Sequence, residues 1–292
     1  MTRATRFTQV WLEKNGYAYD MISDLDLDKT PGILQNYQTV ILAGHSEYWS
    51  SRAYNGIKSY LSSMGRLIVL SGNTMYWRVR FSPDGTVMEC RKVDGAGALI
   101  DPSRRGEAWH SDDRLRGGLM RECGFPGWQL TGLETYGIFN VQGGSPGDSA
   151  FGAFQVTTPN HFLFQGATVS PNQPFALNTI GHESDVRVST LERLRKNALD
   201  GVPAGATAPI EPSGITTLAT GSGATFCCFN YDYFIDDLNG KVPVDPDAEM
   251  IYWQRQDGGR VFNGGAIGNG IALNYDPVFD GLVRNVLRIF LR

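Results

Sequence analysis

The sequence predicts an α/β fold in which a parallel sheet carries helices on both faces. Two runs of β-branched and apolar residues, 39–43 and 66–70, each stop at a turn that contains a glycine, as strands inside a sheet do. Apolar residues at helical spacing fill the segment between them, and a further strand and helix close the chain. Strands that alternate with helices favour parallel pairing, because each helix carries the chain back across the sheet.

The first strand, over 39–43, leads into a turn that carries His45 and Glu47. Its continuous apolar run predicts burial on both faces. Ligands of open α/β sheets bind at the carboxyl ends of the strands, so an imidazole and a carboxylate at this position form a candidate site. The alternative is that both side chains only cap the helix that follows.

A second strand and turn repeat this arrangement. A helix is predicted over 50–65 and a strand over 66–70, after which Asn73 occupies the turn. A right-handed crossover makes the two strands parallel and brings both turns to one edge of the sheet. We therefore expect His45, Glu47 and Asn73 to share a site.

The remaining elements follow from periodicity and turn residues. Asp276 and Pro277 form a typical helix start. The predicted elements are helices over 5–15, 30–37, 114–123, 189–200 and from 276 onward, an acidic loop over 24–28, a hairpin around the turn 83–85, and strands over 17–23, 151–157, 248–254 and 260–267.

These elements predict one domain over residues 1–292. The glycines concentrate after residue 94, so the segment of roughly 78–247 is expected to be a β-rich and loop-rich insertion. The last strands and the final helix would then return to the sheet of the first half. An α/β domain normally opens with a strand and this one opens with a helix, so its first strand is expected upstream.

Composition restricts the classes of partner. A net charge of −4 without a basic stripe argues against nucleic acid. No long apolar run or charged leader predicts a membrane span or a secretory signal. The four cysteines lack CxxC spacing, which argues against a zinc site and indicates a reducing cytoplasm.

Three of the four histidines lie beside carboxylates, among them His45 and His182. Glu183 follows His182 on a predicted loop. A loop carboxylate acts as a general base when burial raises its pKa, and otherwise serves as an ordinary turn acceptor. The residues themselves leave these two readings open.

The sequence contains no strong nucleophile motif. After the strand over 66–70, the residues Gly72, Asn73 and Thr74 stand where a covalent acyl enzyme of this topology would place cysteine. No phosphate-binding glycine loop opens a helix, which disfavours nucleotide binding. A carboxylate and an imidazole can instead hold a metal ion that activates water.

Seven segments of the chain form a recognisable set: 11–17, 24–28, 44–50, 72–77, 117–121, 259–262 and 285–288. Together, in this order and over nearly the whole chain, they resemble the C-terminal region of the large (β) subunit of N,N-dimethylformamidase. That resemblance implies a flavodoxin-like or class I glutamine-amidotransferase-like sheet without the amidotransferase cysteine.

The resemblance also implies hydrolysis of a simple amide by water on a mononuclear ferric ion, held by two tyrosines and one glutamate. Glu47 matches the ligand glutamate, and His45 matches the histidine two residues before it. Asn73 matches an active-site asparagine, Glu183 a glutamate proposed as the base, and Lys92 a pocket lysine. The two tyrosine ligands of that family lie upstream of the matched region, so no tyrosine is assigned in this chain.

Two kinds of function follow from these patterns. The first is an amide hydrolase, or part of one, whose expected partners are a small amide substrate and either further copies of the chain or a small accessory subunit. The second is a non-catalytic α/β scaffold that binds a partner and has lost the metal site. A metal-free hydrolase that uses Glu47 or Glu183 directly is a third, weaker hypothesis.

Overall fold

The computed structural model describes residues 3–91, 109–121, 123–139, 151–181, 183–191, 210–222, 228–229 and 248–292. Most of these residues belong to a layered arrangement of sheets and helices. In chain order the elements are α1 (Arg3–Lys14), α2 (Asp24–Lys29), a 3₁₀ helix (Pro31–Asn36), β1 (Val40–Ala43), β2 (Tyr48–Ser50), α3 (Ser51–Ser62), β3 (Arg66–Leu70), β4 (Trp77–Phe81), β5 (Met88–Cys90), β6 (Gly118–Leu119), α4 (Trp128–Thr131), β7 (Glu134–Phe139), β8 (Gly152–Val156), a 3₁₀ turn (Phe162–Phe164), β9 (Pro174–Ile180), β10 (Glu183–Val186), β11 (Ile215–Ser222), β12 (Cys228–Phe229), β13 (Ala248–Gln254), β14 (Arg260–Asn263), α5 (Asn269–Ala272) and α6 (Pro277–Phe290).

The main sheet is mixed, with seven strands in the order β1-β3-β14-β13-β11-β8-β9. Only β1–β3 and β3–β14 are parallel, and the other neighbours are antiparallel. The predicted flavodoxin-like or glutamine-amidotransferase-like parallel sheet is therefore wrong. No crossover α-helix separates β8 from β9 or β13 from β14, and strands joined in this way pair antiparallel. Three of the seven strands, β8, β9 and β11, come from within 78–247.

The parallel part of the sheet is where the sequence predicted it. β1 and β3 pair with Ile41 opposite Ile68. The short strand β2 and then helix α3 connect β1 to β3. β14 lies on the other side of β3. The predicted burial of β1 on both faces is wrong: all four of its residues are half-buried, because β1 is the edge strand of the sheet.

Alternating side chains of the central strands build two apolar cores, one on each face of the sheet. On β3, Ile68 and Leu70 join the first core, which α1 and α6 cover. Leu67 and Val69 point the other way into the second core, which α2 and α3 cover. β13 and β14 divide between the cores in the same manner. None of the helices in the described ranges is long and apolar enough to cross a membrane.

Two N-terminal predictions are wrong. Residues 17–23 form neither strand nor helix, and the acidic segment that follows is α2 rather than a loop. Ser23 caps α2: its hydroxyl accepts a hydrogen bond from the Asp26 N–H, and the Asp26 carboxylate accepts one from the Ser23 N–H. Carboxylates in a first helical turn are stabilised by the helix dipole, so the acidic run favours this helix.

In the middle of the chain, the hairpin around 83–85 is confirmed as the antiparallel pair of β4 and β5. The helix predicted over 114–123 is wrong, since the described residues there form turns and the two-residue strand β6, which pairs with β4. Most of the helix predicted over 189–200 lies outside the described residues.

The final helix is confirmed, and its start provides a test of the fold. Asp276 accepts a hydrogen bond from the Phe279 N–H at 2.9 Å, and its second oxygen accepts one from the Ala176 N–H of β9 at 2.7 Å. Replacing Asp276 by alanine removes both contacts, and we expect a loss of about 1–2 kcal/mol in the free energy of unfolding. Urea titration measures the loss, and Asp276→Asn, whose single side-chain oxygen replaces only one of the two acceptors, should recover part of it. Equal stability of the alanine variant and the unmodified chain would contradict the assignment of the cap.

Candidate functional site

Three loops meet at the carboxyl ends of the parallel strands. Residues 44–47 follow β1, residues 71–76 follow β3, and residues 264–268 follow β14. Parallel strands end at the same edge of a sheet, so these loops are neighbours, as the sequence predicted for the first two.

Backbone hydrogen bonds hold the first loop against the second. The Met75 N–H donates to the Ser46 carbonyl at 2.9 Å. The N–H groups of Tyr76 and Trp77 both donate to the Glu47 carbonyl, at 2.8 and 2.7 Å. The main chain at Glu47 is therefore fixed from the side of β4.

The prediction that Glu183 lies on a loop is wrong: it is the first residue of strand β10, which lies across the third loop and brings a second carboxylate to the site. The Ile267 N–H donates to the Glu183 carbonyl at 3.2 Å, and the Asp185 N–H donates to the Gly265 carbonyl at 2.9 Å. Gly72 packs directly against β10: a Cβ there would lie 2.4 Å from the Glu183 carbonyl oxygen. Only a residue without a side chain allows this approach.

His45, Glu47 and Glu183 form the centre of the site. His45 Nδ1 lies 3.4 Å from Glu47 Oε1 and 3.4 Å from Glu183 Oε2. One possible ligand atom from each residue lies within 4.8 Å of the other two. The side chain of His45 is 44% exposed, whereas that of Glu183 is 10% exposed. The cluster thus has a buried carboxylate at its base and an imidazole at its surface.

The close approach of these groups shifts their acidities. The Glu183 carboxylate, and then that of Glu47, raise the pKa of His45 to about 10. Burial raises the pKa of Glu183 to about 7, and the negative charge of Glu47 adds to this effect, while His45 opposes it. Among the described residues, none donates a hydrogen bond to the buried Glu183 Oε2 atom within ordinary geometric limits, and its ion-pair neighbour is His45 Nδ1 at 3.4 Å. It is the oxygen with unused capacity to accept a proton.

Asn73 occupies the loop after β3, next to the loop that carries His45 and Glu47. The residue is buried and has a positive φ of 55°. Its N–H donates to Asp185 Oδ1 at 2.8 Å, and its side-chain oxygen accepts a hydrogen bond from the Thr135 hydroxyl at 3.2 Å. These contacts fix the turn after β3. Lys92 and His182 lie outside the described residues.

Sequence reasoning missed the buried charges under the site. Asp185 is 1% exposed, and burial raises its pKa well above the ordinary value. Glu134 of β7 is also buried and lies 3.3 Å from Arg121 in an ion pair. The only sequence signal was that Asp185 stands two residues after Glu183, and nothing local showed that β7 and β10 pair.

Asp185 provides a test of this buried layer. A carboxyl whose pKa is raised on folding contributes stability below its ordinary pKa of 3.8, and that stability is lost as the pH rises through the folded-state value. Asp185→Asn keeps an acceptor for the Asn73 N–H and removes the buried charge. We expect the free energy of unfolding of the variant at pH 8 to exceed that of the unmodified chain by at least about 1 kcal/mol. This difference should shrink toward pH 4. Urea titration at both values measures it, and a difference independent of pH would contradict this assignment.

The mixed sheet carries at its edge a candidate site that combines an imidazole with two carboxylates, a set suited to acid–base chemistry or to metal binding. Residues 5–280 match the family described as "N,N-dimethylformamidase beta subunit-like, C-terminal". The chain belongs to this family, as the resemblance of its sequence motifs indicated.

Two curated relatives support the same assignment. The chain is 36% identical over 132 residues to the N,N-dimethylformamidase beta subunit of Alcaligenes sp and 35% identical over 132 residues to that of Paracoccus aminophilus. Each alignment covers 44% of this chain and 17% of the relative, so it spans about a sixth of the relative's length. Both relatives are named as one subunit of an enzyme.

One solved structure, a cytoplasmic protein from Salmonella typhimurium, superposes with a TM-score of 0.46 at 9% identity, covering 99% of this chain and 87% of that one. A similarity of this size carries no argument about the present site.

Proposed function

We propose that the chain carries the hydrolytic site of an amide hydrolase of the N,N-dimethylformamidase type, with a small linear amide as substrate. The single observation that carries the proposal is the cluster of His45, Glu47 and Glu183, in which a buried carboxylate with a pKa near 7 lies 3.4 Å from an imidazole. Membership of the dimethylformamidase family supports the choice of an amide bond.

Glu183 is the general base of this proposal. A base is most effective when its pKa lies near the working pH, and burial places Glu183 there. Its Oε2 atom, which lies 3.4 Å from His45 Nδ1, accepts the proton of the attacking water and later passes it to the leaving amine. The protonated His45 ring balances the charge of both carboxylates and fixes their positions.

The donor set fits a metal ion. Glu47 offers a partly exposed carboxylate oxygen that would hold the ion, next to the His45 ring that orients it and the Glu183 oxygen that serves as the base. A bound cation such as ferric iron supplies Lewis acidity toward the amide carbonyl and toward water. We propose Glu47 as the metal ligand that this chain contributes, because two hydrogen bonds to its carbonyl oxygen fix its main chain.

The relatives suggest how the site operates in a larger assembly. Both are beta subunits, so we propose that this chain acts with a further subunit or with further copies of itself. We also propose that it functions in the cytoplasm.

Metal content and amide hydrolysis test the proposal together. In the presence of excess ferric iron, we expect the chain to bind the ion through Glu47 and to release dimethylamine from N,N-dimethylformamide. We expect Glu47→Ala to retain at most about a tenth of that iron, because one anionic ligand is lost. Elemental analysis measures the iron and chromatography measures the amine.

Glu13→Ala is the matched control, since Glu13 is an exposed carboxylate on α1 away from the cluster. The Glu13→Ala variant should bind as much iron and release as much amine as the unmodified chain. Equal iron in the Glu47 and Glu13 variants would refute Glu47 as a ligand. Absence of amine release from an iron-loaded chain would refute the proposed activity of this chain.

A further inference from the structure

The turn after β1 carries two of the three residues of the candidate site. It begins at Gly44, whose N–H donates to the Leu70 carbonyl of β3 at 3.0 Å, and it ends at Glu47, whose carbonyl oxygen accepts two hydrogen bonds from the start of β4. Ser46 lies between His45 and Glu47 in the sequence. A movement of the Ser46 backbone therefore changes the separation of these two side chains.

The side chain of Trp49 binds the backbone of Ser46. Its indole Nε1–H donates to the Ser46 carbonyl at 2.8 Å and lies 3.2 Å from the Ser46 hydroxyl oxygen, a second acceptor. The same carbonyl accepts the Met75 N–H at 2.9 Å, so both of its lone pairs are used. Among the described residues, the other donors to the backbone of this turn are backbone N–H groups. The indole bond is therefore the one that a side-chain substitution removes.

The packing of the sheet and the core fixes the indole in turn. Trp49 is 3% exposed and belongs to the second core, which α2 and α3 cover. Its main chain lies opposite Arg78 in the pair of β2 and β4. A buried indole N–H requires an acceptor, and here the acceptor is the carbonyl three residues earlier. The core thus places the ring, and the ring places the turn that carries the site.

We propose that Trp49 is a positioning residue of the site. Its indole N–H fixes the turn at Ser46, and the turn keeps His45 and Glu47 at their working separation. His45 Nδ1 lies 3.4 Å from a carboxylate oxygen of Glu47 and 3.4 Å from one of Glu183. A displacement of about 1 Å is enough to lower a rate about a hundredfold. The effect on the rate rests on the proposed function, whereas the hydrogen bond does not.

The first test needs no substitution. Hydrogen exchange of the indole N–H groups in the unmodified chain, followed by NMR, compares Trp49 with Trp109, which is 51% exposed. We expect the Trp49 N–H to exchange at least about a hundredfold more slowly, because it is buried and hydrogen-bonded. Equal exchange rates of the two indoles would overturn the proposal.

The second test replaces Trp49 by phenylalanine, which removes the N–H and keeps an aromatic ring in the core. Trp253→Phe is the matched control, since Trp253 is 4% exposed and its Nε1–H donates to the Ser213 carbonyl at 2.9 Å. Through β14 it lies level with Leu67, at the start of β3 and away from the carboxyl edge. The measurements are hydrogen exchange of the Met75 N–H and the kcat and KM of amine release, with urea titration as the check of folding.

We expect Trp49→Phe to speed exchange of the Met75 N–H about tenfold or more, and to lower kcat about tenfold or more with KM changed less than about threefold. Trp253→Phe should leave all three values close to those of the unmodified chain. Unchanged Met75 exchange in Trp49→Phe, unchanged kcat, or an equal fall of kcat in both variants would overturn the proposal.

The two kinds of measurement separate this inference from the proposed function. If the unmodified chain releases no amine, the proposed function fails. Exchange of the Met75 N–H then still decides the inference: faster exchange in Trp49→Phe alone supports Trp49 as the residue that positions the turn, and equal exchange in both variants overturns it.

Discussion

Replacing Glu183 by glutamine is expected to lower the rate of amide hydrolysis by about 10²–10⁴-fold, the usual contribution of a positioned general base. Glutamine has nearly the same shape as glutamate, but its amide cannot accept a proton at neutral pH. The variant should fold normally, because it removes a buried charge whose pKa is raised by desolvation. The measurement is the kcat of dimethylamine release, with circular dichroism as the check of folding.

Glu13→Gln is the control for this substitution, because Glu13 is an exposed carboxylate that contacts only Tyr19 among the described residues. It should leave kcat unchanged. An active Glu183→Gln variant would assign the role of base to another group. Loss of folding in the glutamine variant would show that Glu183 serves the structure rather than the reaction.

Replacing Gly72 by alanine is expected to displace β10 from the site. The added Cβ would lie 2.4 Å from the Glu183 carbonyl oxygen, which is too short for any real contact, and 3.0 Å from the Glu183 Cβ, which is unusually tight. Because the obstacle is backbone, the strand has to move. We expect a loss of about 1–3 kcal/mol in the free energy of unfolding, the usual cost of overpacking. We also expect hydrolysis to fall by at least about tenfold, since the His45–Glu183 distance then changes.

Gly32→Ala is the matched substitution, since Gly32 lies in the 3₁₀ helix after α2 and a Cβ there meets nothing within 4 Å. Urea titration and the amine assay on both variants separate packing from a general effect of adding a methyl group. Similar behaviour of the two alanine variants would show that β10 does not require the close approach of Gly72.

Local patterns in the sequence predicted the elements whose stabilising contacts lie close in the chain. The helix over 51–62 and the strands on either side of it follow from periodicity, and the last helix follows from Asp276 and Pro277. The hairpin of β4 and β5 follows from its turn residues. Local patterns were ambiguous where two of them disagreed. The acidic run of α2 is typical of a loop, but Ser23 before it is a helix cap, and the segment is helical.

In the candidate site, too, local patterns predicted some residues, and the pairing of distant strands decided the others. His45 and Glu47 are adjacent to a predicted strand, and the neighbouring parallel strand brings the turn of Asn73 beside them. The family resemblance pointed to Glu183 without showing how it reaches His45. That contact depends on β10 crossing the loop after β14, a pairing between segments far apart in the chain.

The sequence by itself determined the β1-α3-β3 unit, the final helix and the residues at the carboxyl edge of the first strands, because apolar spacing and turn chemistry are local properties. Only the tertiary structure decided that the sheet is mixed, that β1 is its edge strand among the described residues, and that Glu183 and Asp185 are buried with raised pKa values. These features depend on which strands become neighbours, and strand pairing is chosen by the packing of the whole chain rather than by any one segment.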